Sequence, residues 1–244
     1  MTADKAPASP EGVAGAQVLE LVAVMDRLRR ECPWDRRQTH SSLAPYLLEE
    51  CYEALDALER GDLAALREEL GDVLLQVAFH ARLAAERTDG TGWTIDDVAD
   101  GIVAKLIRRH PHVFSDVAVA GADEVSVNWE TIKAAERAEK ASRAAAGSAA
   151  ASALDGVALG QPALALAAQL QRRAERAGAP GALDGGEPGV SEIGAELFAL
   201  VARARQAGVD PEFELRAAAR AYRDQVLAWE QEQEQEQPDQ PEIG

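Results

Sequence analysis

Residues 47–79 read LLEECYEALDALERGDLAALREELGDVLLQVAF. Their apolar positions recur with helical spacing instead of alternating, and Gly61-Asp62 interrupts the pattern, so two helices joined by a short turn are expected. On an α-helix Glu50 and Glu53 are neighbours at i and i+3, as are Glu69 and Asp72, so each helix offers a pair of carboxylates on one face. The short connection favours an antiparallel hairpin that brings the two pairs opposite one another.

The same periodicity extends outward in both directions. Only 5% of residues are aromatic, alanine is abundant, and no strand run is convincing, so the fold class is all-α. Helices are expected over 16–31, 42–60, 64–87, 95–109, 124–147, 161–177, 191–207 and 211–236. Pro33 follows the first helix, and Asp89 to Gly92 form a turn. Thr94 with Asp97 reads as a capping box, Pro111 stops the helix that results, and Asp210-Pro211 supplies a cap and a first-turn proline. Residues 1–15 are expected to be disordered, 16–143 to form one helical domain, and 144–153, nearly all Ala, Gly and Ser, to be a linker. Residues 154–229 would be a second helical unit. After Trp229 an alternating Glu/Gln tract reads as a solvated, disordered tail over 230–244. Glu69-Leu-Gly-Asp72 and Glu192-Ile-Gly-Ala195 echo each other at an offset of 123 residues, which suggests two related helical units.

From Leu70 the third helix runs through Val73, Leu74, Leu75, Val77, Ala78, Phe79 and Leu83, apolar on nearly every side, so enclosure by other elements is expected. Glu69, Asp72 and Gln76 sit in that helix. Buried carboxylates without partners cost several kcal/mol each or take up protons, so something cationic must meet them. Four carboxylates are neutralised by two divalent cations. An all-oxygen set suits hard ions, Mg2+ or Mn2+. Diiron carboxylate bundles use Glu-x-x-His, and none of His40, His80, His110 or His112 has a Glu three positions before it. The competing reading is a solvated face on which Glu49, Glu50 and Glu53 pair with arginines.

Lys105-Leu-Ile-Arg108-Arg109-His110-Pro111-His112 is the densest positive stretch near the acids in a chain with four lysines. Lys105 and Arg109 share a face, and a substrate with several phosphates would need such cations beside the metals. The alternative is that these cations complement the negative end of a helix stopped by Pro111. Trp129 and Lys133, at i and i+4, add an aromatic face and another cation, though Trp129 also fits a core position. In the loop CPWDRRQTH, Trp34 could stack on a base, but packing of the loop onto the bundle is the default expectation. Cys32 and Cys51 form neither a disulfide framework nor a CxxC pair, and Cys51 reads as inward-facing.

Charge and length bound the function. With 25 basic against 42 acidic side chains, the formal charge of −17 repels phosphate backbones and anionic lipid, which excludes nucleic-acid coating. MTADKAPASPEG has no apolar signal core, and no stretch approaches 18 apolar residues, so no membrane partner and a cytoplasmic location are expected.

Five segments taken together, CPWDRRQTH, YLLEECYE, REELGDVL, KLIRRHPHVF and NWETIK, resemble the MazG family of nucleoside triphosphate pyrophosphohydrolases, part of the all-α NTP pyrophosphatase group. The resemblance covers roughly residues 17 to 134. The resemblance implies a helical bundle and Mg2+-dependent hydrolysis of a nucleoside triphosphate to the monophosphate and pyrophosphate, a nucleotide-pool housekeeping activity. By the same likeness the metal ligands are Glu50, Glu53, Glu69 and Asp72. Glu49 orients or deprotonates the attacking water in this reading. Lys105, Arg109 and Lys133 contact the triphosphate, with Arg108 beside them and Trp129 near the nucleoside. Members of the family are usually homodimers.

The second half looks like a degenerate repeat of the same type. Residues 179–190 read APGALDGGEPGV where an EExxE helix belongs, and Ala195 replaces the Asp of ExxD, so only Glu192 remains of the metal set. A non-catalytic unit is expected. The rival to the enzyme reading is a helical dimerisation or interaction protein whose acids form a solvated surface.

Overall fold

The computed structural model describes residues 15–115, 117–144, 152–179 and 189–236. Every regular element among them is helical: α1 (Ala16–Glu31), a 3-10 turn (Asp35–Arg37), α2 (His40–Arg60), α3 (Leu63–Ala84), α4 (Ile95–Arg109), α5 (Pro111–Phe114), α6 (Ala122–Ala144), α7 (Ala163–Arg176), α8 (Glu192–Gln206) and α9 (Pro211–Glu236). The chain divides into two compact units, Met1–Ile132 and Lys133–Gly244. That division falls inside α6 and not in the Ala/Gly/Ser stretch at 144–153. Residues 1–14, most of that stretch, and the Gly/Pro-rich segment 180–188 lie outside the described residues.

Local chemistry sets the ends of the helices in the first unit. Thr39 begins α2: its hydroxyl accepts from the Ser42 N–H at 3.1 Å, and Ser42 Oγ accepts from the Thr39 N–H at 2.9 Å. This box uses Ser where Glu or Gln is usual, which is why α2 starts at His40 and not at residue 42. Gly61 ends α2 in the left-handed region, φ 69°, where a side chain would be strained. Asp62 then caps α3, its Oδ1 accepting from the N–H groups of Ala64 and Ala65 at 3.1 and 3.0 Å. Two residues therefore reverse the chain and make α2 and α3 an antiparallel pair. Thr94 and Asp97 form the expected box at the start of α4. Pro111 ends that helix and also opens α5, because a first-turn proline gives up no needed N–H.

The core of this unit joins three helices: Met25 from α1, Leu43 from α2, and Ala78, Phe79 and Leu83 from α3, with Leu21 and Leu75 packed against them. Each large side chain so buried contributes about 1.5–3 kcal/mol. All three α3 contributors lie in its second half, so enclosure of α3 is partial within the chain. In its first half Leu70 is 53% exposed, and Leu74 at its middle is 38% exposed. Cys51, expected to face inward on α2, is exposed.

Arginines tie α1 to the end of α3. The Arg29 guanidinium donates to both carboxylate oxygens of Glu86 at 2.8 and 2.9 Å, to the Gln38 carbonyl at 3.1 Å and to the Asp35 carbonyl. Arg82 donates to Asp26 at 2.8 Å and to Glu86 at 3.1 Å. The loop between α1 and α2 is thus fastened by its own carbonyls, and Trp34 packs it further against Tyr46 and Phe79, with ring centroids 6.1 and 6.5 Å apart.

In the second unit α7 and α8 meet through buried Gln171, which donates to the Phe198 carbonyl at 2.7 Å, and through an Arg205–Glu175 ion pair at 2.6 Å. Asp210 caps α9 as expected, accepting from the N–H groups of Glu212 and Phe213. The helix runs on to Glu236, into the tract expected to be disordered from residue 230. Glu and Gln are good helix formers, and nothing in the alternation breaks the backbone pattern.

Candidate metal centre

The antiparallel hairpin sets α2 residues against α3 residues lying at similar distances along the chain from the Gly61-Asp62 turn. Glu50 thereby meets Glu69 and Asp72: one carboxylate oxygen from each lies within 4.8 Å of the other two, and all three residues are half-buried. Among the described residues no other such group of three or more ligating side chains occurs, so the second unit presents none there. Glu53 is exposed and lies close enough for its charge to act on both Glu50 and Glu69. Glu49, also exposed, adds its charge to Glu50.

The electrostatics match an uncompensated anionic site. Desolvation raises the Glu50 carboxyl pKa above its ordinary value, and the charges of Asp72, Glu53, Glu49 and Glu69 raise it further. Glu69 is raised by desolvation first, then by Glu53 and Asp72. Carboxylates crowded in this way fit a hard divalent cation: all donors are oxygen, and separations under 4.8 Å close around an ion whose ligands stand about 2.0–2.6 Å away.

The cationic residues gather at the end of α4. Lys105 and Arg108 are exposed, and Arg109 is half-buried with its guanidinium 5.3 Å from the Trp129 ring centroid. His110 meets the same ring edge-on at 4.8 Å, its Nδ1–H donating to the Leu106 carbonyl at 2.7 Å. Trp129 therefore carries the Arg109 cation beside its ring, a contact that the sequence pairings of Lys105 with Arg109 and of Trp129 with Lys133 did not include. Lys133, on the same helix as Trp129, is the first residue of the second compact unit.

A polar pair went unrecognised in the sequence. His40 Nδ1 and His80 Nδ1 lie 2.7 Å apart, in rings only 5° from parallel and 5.0 Å between centroids. So short a nitrogen gap within that centroid separation turns the two nitrogens toward each other, an N–H···N bond. Trp93 covers His40 at 6.4 Å. Next to the pair, Gln76 is 5% exposed, and its Oε1 and the His80 Nε2 are buried without hydrogen-bond partners. The usable signal was positional: His40 and His80 lie at similar distances from the turn, as the acids do.

Comparison with known proteins adds an independent finding. The family described as the MazG nucleotide pyrophosphohydrolase domain matches residues 38–114, which hold every acid of the cluster together with Lys105, Arg108 and Arg109. A Streptomyces cacaoi protein described as an uncharacterized 26.1 kDa protein in the blaB 3' region is 49% identical over 216 residues, covering 88% of this chain and 84% of its own. The nucleoside triphosphate pyrophosphohydrolase of Mycobacterium tuberculosis is 45% identical over 172 residues, covering 70% of this chain, which spans about half (49%) of that relative's length. The nucleoside triphosphate pyrophosphohydrolase/pyrophosphatase MazG of Thermotoga maritima is 39% identical over 233 residues, covering 86% of this chain and 84% of its own.

Proposed function

The chain belongs to the MazG nucleotide pyrophosphohydrolase family, and from that premise we propose that it hydrolyses nucleoside triphosphates to the monophosphate and pyrophosphate with Mg2+, Mn2+ serving as a substitute. One observation carries the reading: Glu50 from α2 and Glu69 and Asp72 from α3 converge until their carboxylate oxygens lie within 4.8 Å of one another. A solvated interaction surface gains nothing from that convergence, since like charges repel. Glu50, Glu53, Glu69 and Asp72 would hold the ion. When bound, it supplies charge neutralisation and polarises a phosphoryl oxygen.

The chain's own groups do the rest. Glu49, exposed beside Glu50, orients the attacking water and takes its proton. Lys105, Arg108 and Arg109 balance the phosphate charge that no metal covers. Trp129, braced by Arg109 and His110, offers the nucleoside an apolar face, and Lys133 adds a further cation. The second unit has no acid cluster among its described residues and acts as a scaffold. The exposed Leu70 and Leu74 on α3 support a homodimer in which a second copy covers them. Among the described residues no helix is long and apolar enough to cross a membrane; a cytoplasmic, nucleotide-pool housekeeping role completes the proposal.

The test is a panel of NTPs and dNTPs incubated with Mg2+ or with chelator, scored for monophosphate plus pyrophosphate against diphosphate plus orthophosphate. Native protein should give the first pair of products only with Mg2+. Glu53→Gln and Asp72→Ala should lose that activity by at least about a hundredfold while keeping native helix content. Native rates in both variants would remove the site assignment.

A further inference from the structure

One turn beyond Asp72 on α3 lies Gln76, whose side-chain oxygen nothing satisfies. The residue is 5% exposed, its Oε1 is buried, and no donor reaches that oxygen. A buried amide oxygen left alone costs about 1–3 kcal/mol, and an apolar side chain of the same size would be sounder in the free protein. Buried acceptors are nearly always paired, so an exception points to a donor that comes from outside the chain. The helix fixes where that donor must stand. Glu69, Asp72, Gln76 and His80 follow one another at spacings of three and four, on one face. Glu69 and Asp72 meet Glu50 of α2, and His80 meets His40 of α2. Gln76, between them on that face, is turned to the same interface, about 5–6 Å from Asp72.

The neighbours cannot supply the proton. Ionised Glu50, Glu69 and Asp72 only accept hydrogen bonds, and His80 is engaged with His40 through Nδ1 while its Nε2 reaches no partner, Gln76 included. A hydrated divalent ion does supply one. Mg2+ takes about six oxygens and keeps several of them as water, and the ion's charge makes such water a strong donor. Toward the apolar core of Leu43 and Phe79, Gln76 is the first polar side chain that this face of α3 presents after Asp72. We propose that Gln76 is a positioning residue of the metal centre: its Oε1 accepts a hydrogen bond from a water held by the ion and so orients that water on the core side of the acids. The inference rests on the reading of the acids as a metal centre.

Calorimetric melting of the full chain with increasing Mg2+, without nucleotide, tests it. Gln76→Met keeps the volume and removes the acceptor, whereas Gln76→Glu keeps an acceptor oxygen at the same reach. In chelator the Met variant should melt at or above native, and the Mg2+ concentration giving half its maximal shift should rise about tenfold. The Glu variant should melt below native in chelator, since it adds a charge beside the acids, yet reach half its shift at no more Mg2+ than native. Mn2+ in place of Mg2+ gives a spectroscopic readout: broadening of its EPR lines by oxygen-labelled water counts the waters it holds, and the count should be equal in native and Met variant. Native Mg2+ dependence in Gln76→Met, or a Glu variant as weak as Met, overturns the proposal. One more water on Mn2+ in the Met variant would make Gln76 a direct ligand and overturns it too, and a Met variant melting below native in chelator does so by giving the amide a partner in the free protein. A native protein that gains nothing from Mg2+ refutes the metal reading itself, and this inference with it.

Discussion

Replacing Arg29 by Met removes a charge but keeps most of the apolar stem, so the change isolates what the guanidinium does. The Arg29 side chain is only 12% exposed, and it donates to two backbone carbonyls, those of Asp35 and Gln38, and to both oxygens of Glu86. The Asp35 carbonyl keeps the Gln38 N–H at 3.1 Å, so the loss falls on the Gln38 carbonyl and costs about 1 kcal/mol. Glu86 is 38% exposed and keeps its Arg82 contact at 3.1 Å, so loss of that ion pair is screened to about 0.5–1 kcal/mol. The total is about 1.5–2 kcal/mol, near 7 °C in melting temperature for a unit of this size. Urea denaturation read by hydrogen exchange on peptides from α1 and α3 keeps the second unit out of the measurement. The acid dependence provides a second check. Hydrogen bonding from Arg29, and then its charge, hold the Glu86 carboxyl below its ordinary value of 4.5. That contribution is complete above 4.5 and disappears as pH falls through the depressed value. The gap between native and Arg29→Met should therefore narrow on acidification from pH 7. A gap under about 0.5 kcal/mol at neutral pH, or one that fails to narrow, would refute the reasoning.

Two further outcomes are expected. Glu50 and Glu69 carry raised folded-state pKa values, so their repulsion burdens the metal-free protein fully above those values and is relieved as pH falls toward 4.5. In chelator at pH 7, Glu50→Gln should accordingly melt above native, with the advantage gone near pH 4.5 and reversed in Mg2+; a Gln variant less stable than native in chelator contradicts the electrostatic picture. Asp62→Ala deletes the acceptor for two N–H groups at the start of α3 and should cost about 1 kcal/mol, concentrated in exchange of the first α3 turn. Protection there equal to native would show that the cap carries no weight.

The helical pattern was legible because it depends on local signals. Gly61-Asp62, Thr94 with Asp97, and Asp210-Pro211 act within a few residues, and the structure places each where the sequence does. The meeting of Glu50 with Glu69 and Asp72 could also be read, since a two-residue turn leaves an antiparallel pair little freedom. Features that depend on side chains far apart were harder. The Arg29–Glu86 pair spans two helices and a loop, and no spacing rule couples those positions. His40 and His80 were not linked in the sequence because histidine has many roles, and only their shared distance from the turn joins them. The exposure of Cys51 and of the first half of α3 reflects what surrounds a helix, which periodicity alone does not contain. The Glu/Gln tract was misjudged at its start because composition weighs solvation and overlooks the helical preference of both residues.

The brevity of the α2–α3 connection also governs where this chain tolerates added or deleted residues. One extra residue between Gly61 and Glu69 would swing Glu69 and Asp72 by about 100° around the helix axis, away from Glu50. Only changes of about seven residues, two whole turns, would restore their facing. The segment from Ala85 to Thr94, which connects α3 to α4 without helix, carries no such constraint, and length variation among descendants of this sequence should collect there and be missing from the hairpin.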